Sequence, residues 1–320
     1  MKNAIIICWF GIIPNYFNFF LKSCKINKDY DFLIFTDQKI KAPAENIIII
    51  KKTLDEMNTL FSKKLKMKIK ISKPYKLCDF RPAYGKIFED YLVKYKFWGH
   101  CDIDQIFGKI NSFITTDILN KYERINHNGH LSLYKNCAKI NNLYTKTGSP
   151  FSIKDVFSSE NNYAFDEYSG INLIAKYNNI KEIYINDFCD INVRYKRYKC
   201  KNNHNVKNQI YSWEEGKVYK YSIKNGIVQK EEKMYLHFQK KLPSIKIGNQ
   251  ETKYLIGEKG FVEFENINLS TIAKNNKYKG HIYELYEFIV YYIKKIYNFI
   301  TMNNNQKTIW IKQRKNKVKV

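Results

Sequence analysis

The chain has 320 residues, 44% hydrophobic and 16% aromatic, enough apolar side chain to bury a large core and too much for a disordered segment. Lys and Arg outnumber Asp and Glu by 55 to 30, a formal net charge of +25. That excess suits an anionic partner such as phosphate, an acidic membrane face or nucleic acid, although over-use of Lys, Asn, Ile and Tyr along the whole chain produces it without any partner. Seven scattered cysteines with no Cys-x-x-Cys pair argue against a disulfide framework and a zinc ribbon, and fit a reducing cytosol.

No run of 18 apolar residues exists, so a membrane-spanning helix is not expected. The early run AIIICWFGII has no small-residue cleavage site and is interrupted by Gly11 and Pro14, so residues 4–10 read as a buried first strand. Helical spacing follows over 15–25, then a second buried strand over 31–37 that closes on Asp37, and a third over 46–50. Residues 53–69 and 82–95 read as helices, the latter with Pro82 in its first turn, and 97–103 as the next strand. Continuously apolar strands alternating with helices predict an α/β fold with a mostly parallel, Rossmann-like central sheet flanked by helices. Ligands of such sheets sit beyond the carboxyl ends of the strands. Gly11, Asp37, Asp102 and Asp104 all fall at such ends.

After Gly108 the pattern loosens. Residues 129–134 alternate like a half-buried strand, 141–157 read as a loop followed by a short helix, and 171–177 as a helix. Residues 183–240 read as short strands with polar turns, ending in Tyr235-Leu-His-Phe238. We therefore expect an α/β domain with a ligand site over 1–270 and a basic C-terminal helical extension over 271–320. Its amphipathic segment, 282–300, either lies in an anionic membrane interface or docks on the domain, with an Asn- and Lys-rich end over 301–320.

Asp102-Ile103-Asp104 is the most pointed chemical signal. Residues i and i+2 on an extended segment share a face. Two hard oxygen ligands there suit Mn²⁺ or Mg²⁺, which complete an octahedral set with water and phosphate oxygens.

Five blocks in order, Cys8-Trp-Phe-Gly11, Leu33 to Asp37, Tyr75 to Gly85, Phe97 to Asp104 and Gly129 to Asn136, carry a resemblance to bacterial polysaccharide-biosynthesis glycosyltransferases of the GT-A fold, which act on capsule, exopolysaccharide or lipopolysaccharide glycans. The resemblance covers about residues 1–240 and stops short of the tail. It departs from the family pattern at His100 and Cys101, where an aromatic or small residue is usual.

The resemblance implies transfer of a sugar from a nucleotide-sugar donor, UDP- or GDP-linked, to a glycan or lipid-linked acceptor, in the cytoplasm or on the inner face of the cytoplasmic membrane. Asp102 and Asp104 would hold the cation against the diphosphate. His237 is similar to a late histidine that completes such metal sites, or is a structural histidine at a strand end. Gly11 would let the backbone approach the nucleotide, Trp9 or Phe10 would line the base pocket, and Asp37 would accept bonds from base or ribose. Lys76, Asp79 and Arg81 read as donor-facing, with Arg81 either a phosphate fork or the ion-pair partner of Asp79. Lys240 and Lys241 are candidates to reach the diphosphate. Asp166-Glu167 is the acceptor-side candidate, where a carboxylate takes the acceptor's proton, or else a helix cap. His130 reads as core or cleft.

The rival class is a basic nucleic-acid- or anionic-surface-binding protein without transferase activity. It lacks a basic stripe interleaved with stacking aromatics, so no nucleic acid is expected. Two-metal nucleotidyl transfer or phosphodiester hydrolysis needs more carboxylates than the spacing offers. A homologue that only binds glycan is disfavoured by the intact Asp102 and Asp104.

Overall fold

Along the first strand, β1 (Asn3–Trp9), Ala4 and Ile6 enter one apolar cluster while Ile5 and Ile7 enter another. Side chains of a strand alternate between faces, so a strand apolar at every position is buried on both. In chain order come β2 (Tyr30–Thr36), β3 (Ile47–Lys51), β4 (Phe97–Cys101), β5 (Gln105–Phe107), β6 (Arg124–Asn128), β7 (Leu131–Lys135) and β8 (Glu182–Ile183). This computed structural model describes residues 2–201 and 208–317.

Seven of these strands form one sheet in the order β3-β2-β1-β4-β7-β6-β8. Only β7 runs against its neighbours; the ladders β3 to β2, β2 to β1, β1 to β4 and β6 to β8 are parallel. The protein is thus a mixed α/β fold with a multi-stranded sheet flanked by helices. The helix Phe17–Lys25 covers one face through Phe17, Phe20, Leu21 and Cys24. The helix Leu54–Leu65 covers the other through Met57 and Phe61.

Boundaries depart from the sequence reading where backbone chemistry overrides periodicity. The expected 53–69 helix starts on a capping box, with the Glu56 N–H donating to Thr53 Oγ1 and the Thr53 N–H donating to Glu56. It stops at Leu65 because Lys66 turns left-handed, φ 52°. The expected 82–95 helix is a 3₁₀ segment, Pro74–Ala83, followed by single turns at Tyr84–Ile87 and Glu89–Leu92. Pro82 has no N–H to give an α-helical ladder. Close packing also limits this stretch, since a Cβ on Gly85 would stand 2.5 Å from Trp98 Nε1.

The remaining strands are β9 (Cys189–Asp190), β10 (Gln209–Glu214), β11 (Lys217–Lys224), β12 (Ile227–Lys233), β13 (Tyr235–His237), β14 (Lys253–Gly257) and β15 (Gly260–Glu263). A five-stranded sheet, β12-β11-β10-β14-β15, packs through Trp213, Tyr254 and Phe261 against Phe19 of the first helix. Its last hairpin, β14-β15, carries no strand signal in the sequence reading. A small sheet, β5-β13-β9, joins the two larger ones.

The segment beyond 270 is set apart by composition rather than by packing. Ile272 of the helix Leu269–Asn275 is buried on the five-stranded sheet, and Ile309 of the helix Asn304–Lys317 joins the core of the first domain. Between them runs the helix His281–Ile300. Among the described residues no helix is long and apolar enough to cross a membrane. Residues 202–207, within the stretch read as short strands, and 318–320, at the end of the Asn- and Lys-rich tail, lie outside the described residues.

Candidate functional site

β4 ends at Cys101 and the chain turns through Asp102-Ile103-Asp104 into β5. Ile103 is buried in the core, which directs the flanking carboxylates away from it. The small sheet then brings distant residues beside them: in its register His237 of β13 opposes Gln105 of β5 on one side and Asp190 of β9 on the other. His237 Nε2 consequently stands 3.2 Å from Asp104 Oδ1 and 3.7 Å from Asp102 Oδ2. The ligand atoms of Asp102, Asp104 and His237 all lie within 4.8 Å of one another, a spacing and donor set that one divalent cation can bridge.

Asp190 was not visible as a site residue in the sequence. Its Oδ1 lies 2.9 Å from His237 Nδ1, and its Oδ2 accepts from Lys201 Nζ at 2.6 Å and Gln239 Nε2 at 2.9 Å. A carboxylate on Nδ1 fixes the ring's orientation and leaves Nε2 for the Asp pair, the arrangement that supports metal-binding histidines. His130 stacks on His237 with ring centroids 4.5 Å apart, and its Nδ1 is 3.0 Å from the Tyr235 hydroxyl. Burial drives the His130 imidazole toward its neutral form. His130, Asp190 and His237 also converge, and through the shared Asp190 and His237 they belong to the same centre.

Asp104 is held by backbone as well. Its Oδ2 accepts from the Lys240 N–H at 2.7 Å, and its carbonyl accepts from the Phe238 N–H at 2.8 Å. To reach it, Gln239 and Lys240 both adopt left-handed backbone, φ 55° and 64°, which costs non-glycine residues about 1–3 kcal/mol each. The turn leaves Lys240 exposed with Nζ 4.8 Å from the Tyr75 ring centroid. Lys241, by contrast, donates to the Tyr195 and Lys196 carbonyls. Of the two lysines, only Lys240 has no carbonyl bonded to its ammonium among the described residues.

Arg81 is the hub between the two carboxylate groups. One guanidinium nitrogen donates to Asp102 Oδ1 at 2.5 Å, and the other donates to Asp166 Oδ2 at 3.0 Å and the Gly129 carbonyl at 2.8 Å. Of the two readings of Arg81, a phosphate fork or an ion pair with Asp79, the pair does not form. Asp79 pairs instead with Lys76, Nζ to Oδ2 2.7 Å, and also accepts the Tyr163 and Phe165 N–H groups. Lys76 spends its other bonds on the Val156 and Asn161 carbonyls at 2.6 Å each. Both side chains are buried, so this pair fastens residues 156–165 rather than facing a donor. Removing one partner of such a pair strands a buried charge. Lys76→Met should cost about 3–5 kcal/mol in urea unfolding. Metal affinity should stay unchanged in the same variant.

Asp166 and Glu167 separate in role. Asp166 is buried and committed to Arg81. Burial pushes its carboxyl up to about 8, against the pull of Arg81. Glu167 is half-buried, and its Oε1 accepts the Gly129 N–H at 3.3 Å. A Cβ on Gly129 would stand 2.7 Å from Glu167 Oε1, so a side chain there would displace that carboxylate from the Gly129 N–H.

At the far strand ends, Gly11 has φ +104° and its N–H donates to Asp37 Oδ1 at 3.3 Å, so these two do come together. Asp37 is exposed and Trp9 half-buried, with Nε1 donating to the Ile12 carbonyl. Phe10 does not line a pocket: it is buried in the core beside Leu33 and Phe35.

Five carboxylates (Asp102, Asp104, Asp166, Glu167, Asp190) thus gather around Arg81, Lys201 and His237, in a chain whose overall charge is strongly positive. Burial favours a neutral His237, but the bonds to Asp104 and Asp190 prevail and hold its pKa up at about 10. Burial also opposes the charged Asp104, and His237 and the Lys240 N–H outweigh it, bringing Asp104 down to about 2. A proton on Nε2 therefore stands where a cation would. A raised folded-state pKa means His237 stabilises the metal-free protein fully below about 6.5. That contribution is lost as pH rises toward about 10. Conversely, a cation taking Nε2 must displace that proton, so Mn²⁺ affinity should rise about tenfold per pH unit between 6 and 8. Calorimetry in buffers of different ionisation enthalpy should count about one proton released per ion, and His237→Gln should flatten the slope.

No curated protein matches this chain. A model described as a family of unknown function (DUF6625) matches residues 5–265, which takes in both larger sheets but for the first two residues of β1, and every side chain of the site. The chain belongs to the DUF6625 family.

Proposed function

We propose that this protein is a metal-dependent glycosyltransferase that moves a sugar from a UDP- or GDP-sugar to a cell-surface glycan or lipid-linked glycan acceptor, by a GT-A-type, Rossmann-like donor site. The observation that carries this reading is the convergence of Asp102, Asp104 and His237 at the carboxyl end of β4, with ligand atoms within 4.8 Å. Asp102 and Asp104 would hold Mn²⁺ or Mg²⁺ with His237 as third ligand, Asp190 keeping Nε2 turned toward it. When bound, the cation offsets the charge that grows on the leaving diphosphate.

The chain's own groups supply the rest. Lys240, presented by its left-handed turn, adds a positive charge to the diphosphate. Asp37 and Gly11, joined at the ends of β2 and β1, meet the nucleoside. Arg81 keeps Asp102 in position and ties it to Asp166. Glu167, the accessible member of the acceptor-side pair, takes the proton from the acceptor hydroxyl as it attacks the sugar. Nucleotide sugars are cytoplasmic compounds, so the reaction belongs on the inner face of the cytoplasmic membrane when its acceptor is lipid-linked.

Titration calorimetry with UDP-, GDP- and CMP-sugars, with and without Mn²⁺, tests the reading. We expect one nucleotide class to bind, and only with the metal. If no nucleotide sugar binds in either condition, the carboxylate cluster is structural and the transferase reading fails.

A further inference from the structure

We propose that the helix His281–Ile300 is a docking surface for an anionic lipid bilayer, lying along it rather than entering it. The helix is two-faced. At 100° per residue, Glu284, Glu287 and Phe288 share one side, and that side grips the protein. Arg197 Nε donates to Glu284 at 2.6 Å, Lys199 pairs with the same carboxylate at 3.0 Å, and the Lys196 N–H donates to Glu287. The Arg194 guanidinium lies 5.5 Å from the rings of both Phe288 and Tyr292. These contacts fix the helix's rotation.

The opposite side is thereby turned outward. It carries Ile282, Leu285, Ile289, Ile293, Ile296 and Ile300, all between 47 and 86% exposed, in a straight row of 3- and 4-residue steps. Tyr286 and Tyr297, also exposed, flank the row, as amphipathic rings do at a membrane–water boundary. A 20-residue helix presents this row over about 30 Å. An apolar face of this extent on a folded protein marks an interaction site.

Charge selects the occupant. The only two acidic residues of the helix, Glu284 and Glu287, are the ones spent on the protein side. Exposed Lys277 and Lys279 precede the helix, and Lys312, Arg314 and Lys315 follow in the next helix, which has no acidic residue. Two copies of a +25 chain meeting face to face here would repel each other, whereas an anionic headgroup layer would attract both the lysines and, at its boundary, the apolar row. The row lies beyond residue 265, outside the stretch the family model matches. It owes nothing to the metal centre, so it stands or falls apart from the transferase reading.

Flotation of the full chain with phosphatidylglycerol–phosphatidylcholine vesicles and with phosphatidylcholine vesicles alone tests the surface. The wild type should float with the anionic vesicles, far less with the neutral ones, and progressively less as salt rises. Ile289→Glu with Ile293→Glu should cut the bound fraction at least tenfold. Both positions are exposed, so the unfolding midpoint should hold; if it does not, Ile289→Ala with Ile293→Ala serves, with a smaller loss expected. Equal flotation of wild type and variant overturns the proposal, as does failure of the wild type to bind anionic vesicles. It is likewise overturned if light scattering finds a wild-type dimer that these substitutions dissociate, for then a second copy covers the row.

Discussion

Asp104→Asn is expected to lower sugar transfer by about 10³-fold, the equivalent of about 4 kcal/mol of transition-state stabilisation. The substitution keeps the shape of the side chain and its ability to accept the Lys240 N–H, so the left-handed turn at Gln239–Lys240 should survive. What it removes is one negative charge beside His237 and Asp102. Mn²⁺ binding should weaken by two orders of magnitude or more, and nucleotide-sugar binding should weaken with it because the diphosphate loses its counter-charge. Asp190→Asn provides the graded comparison. It touches His237 only at Nδ1, and loss of such an outer partner costs about 10–100-fold in metal affinity. The expected order of Mn²⁺ affinity by calorimetry is therefore wild type, Asp190→Asn, Asp104→Asn. An Asp104→Asn variant with wild-type metal affinity would remove the Asp-x-Asp pair from the site.

How much of this was legible beforehand depends on whether a feature is local. The buried strands β1, β2 and β4 announce themselves because both faces are covered and apolar residues run through them without alternating with polar ones. The Asp102–Asp104 pair is likewise local, two residues on one short turn. Asp190 is invisible in the same way that His237 is only half visible. Each sits on a strand of two or three residues, and its meaning comes from the register of β13 against β5 and β9, which brings together positions 104, 190 and 237. No periodicity encodes a contact across 47 or 133 residues. The Lys76-Asp79-Arg81 cluster shows the converse failure. Three charges within six residues look like one unit, yet the 3₁₀ turn of Pro74–Ala83 sends Lys76 and Asp79 inward to the 156–165 segment and Arg81 outward to Asp102 and Asp166. Phe10 misleads for a related reason: next to a glycine at a strand end it reads as pocket lining, but the pleat turns it into the core.

The pair proposed for the acceptor side offers the sharpest separation of roles, and under that proposal Glu167→Gln is expected to lower kcat by about 10²–10⁴-fold, the usual contribution of a positioned general base. Donor binding and Mn²⁺ affinity should be unchanged, because Glu167 touches the Gly129 N–H and none of the metal-side groups. Asp166→Asn should behave differently. Once ionised, above about pH 8, Asp166 shares the Arg81 guanidinium with Asp102, and the Asn variant then leaves Asp102 as its sole carboxylate partner among the described residues. Arg81 would then compete harder with a cation for Asp102, weakening Mn²⁺ binding while sparing the reaction step at saturating metal. Measuring kcat at saturating donor and metal beside the Mn²⁺ dissociation constant for both variants distinguishes the two roles. A loss of kcat confined to Glu167→Gln, with the metal effect confined to Asp166→Asn, fits the division. If instead Asp166→Asn lowers kcat at saturating metal and Glu167→Gln does not, the buried carboxylate is the base. Its pKa of about 8 should then appear as the ascending limb of the rate, set lower when a cation is bound because added positive charge favours the ionised form.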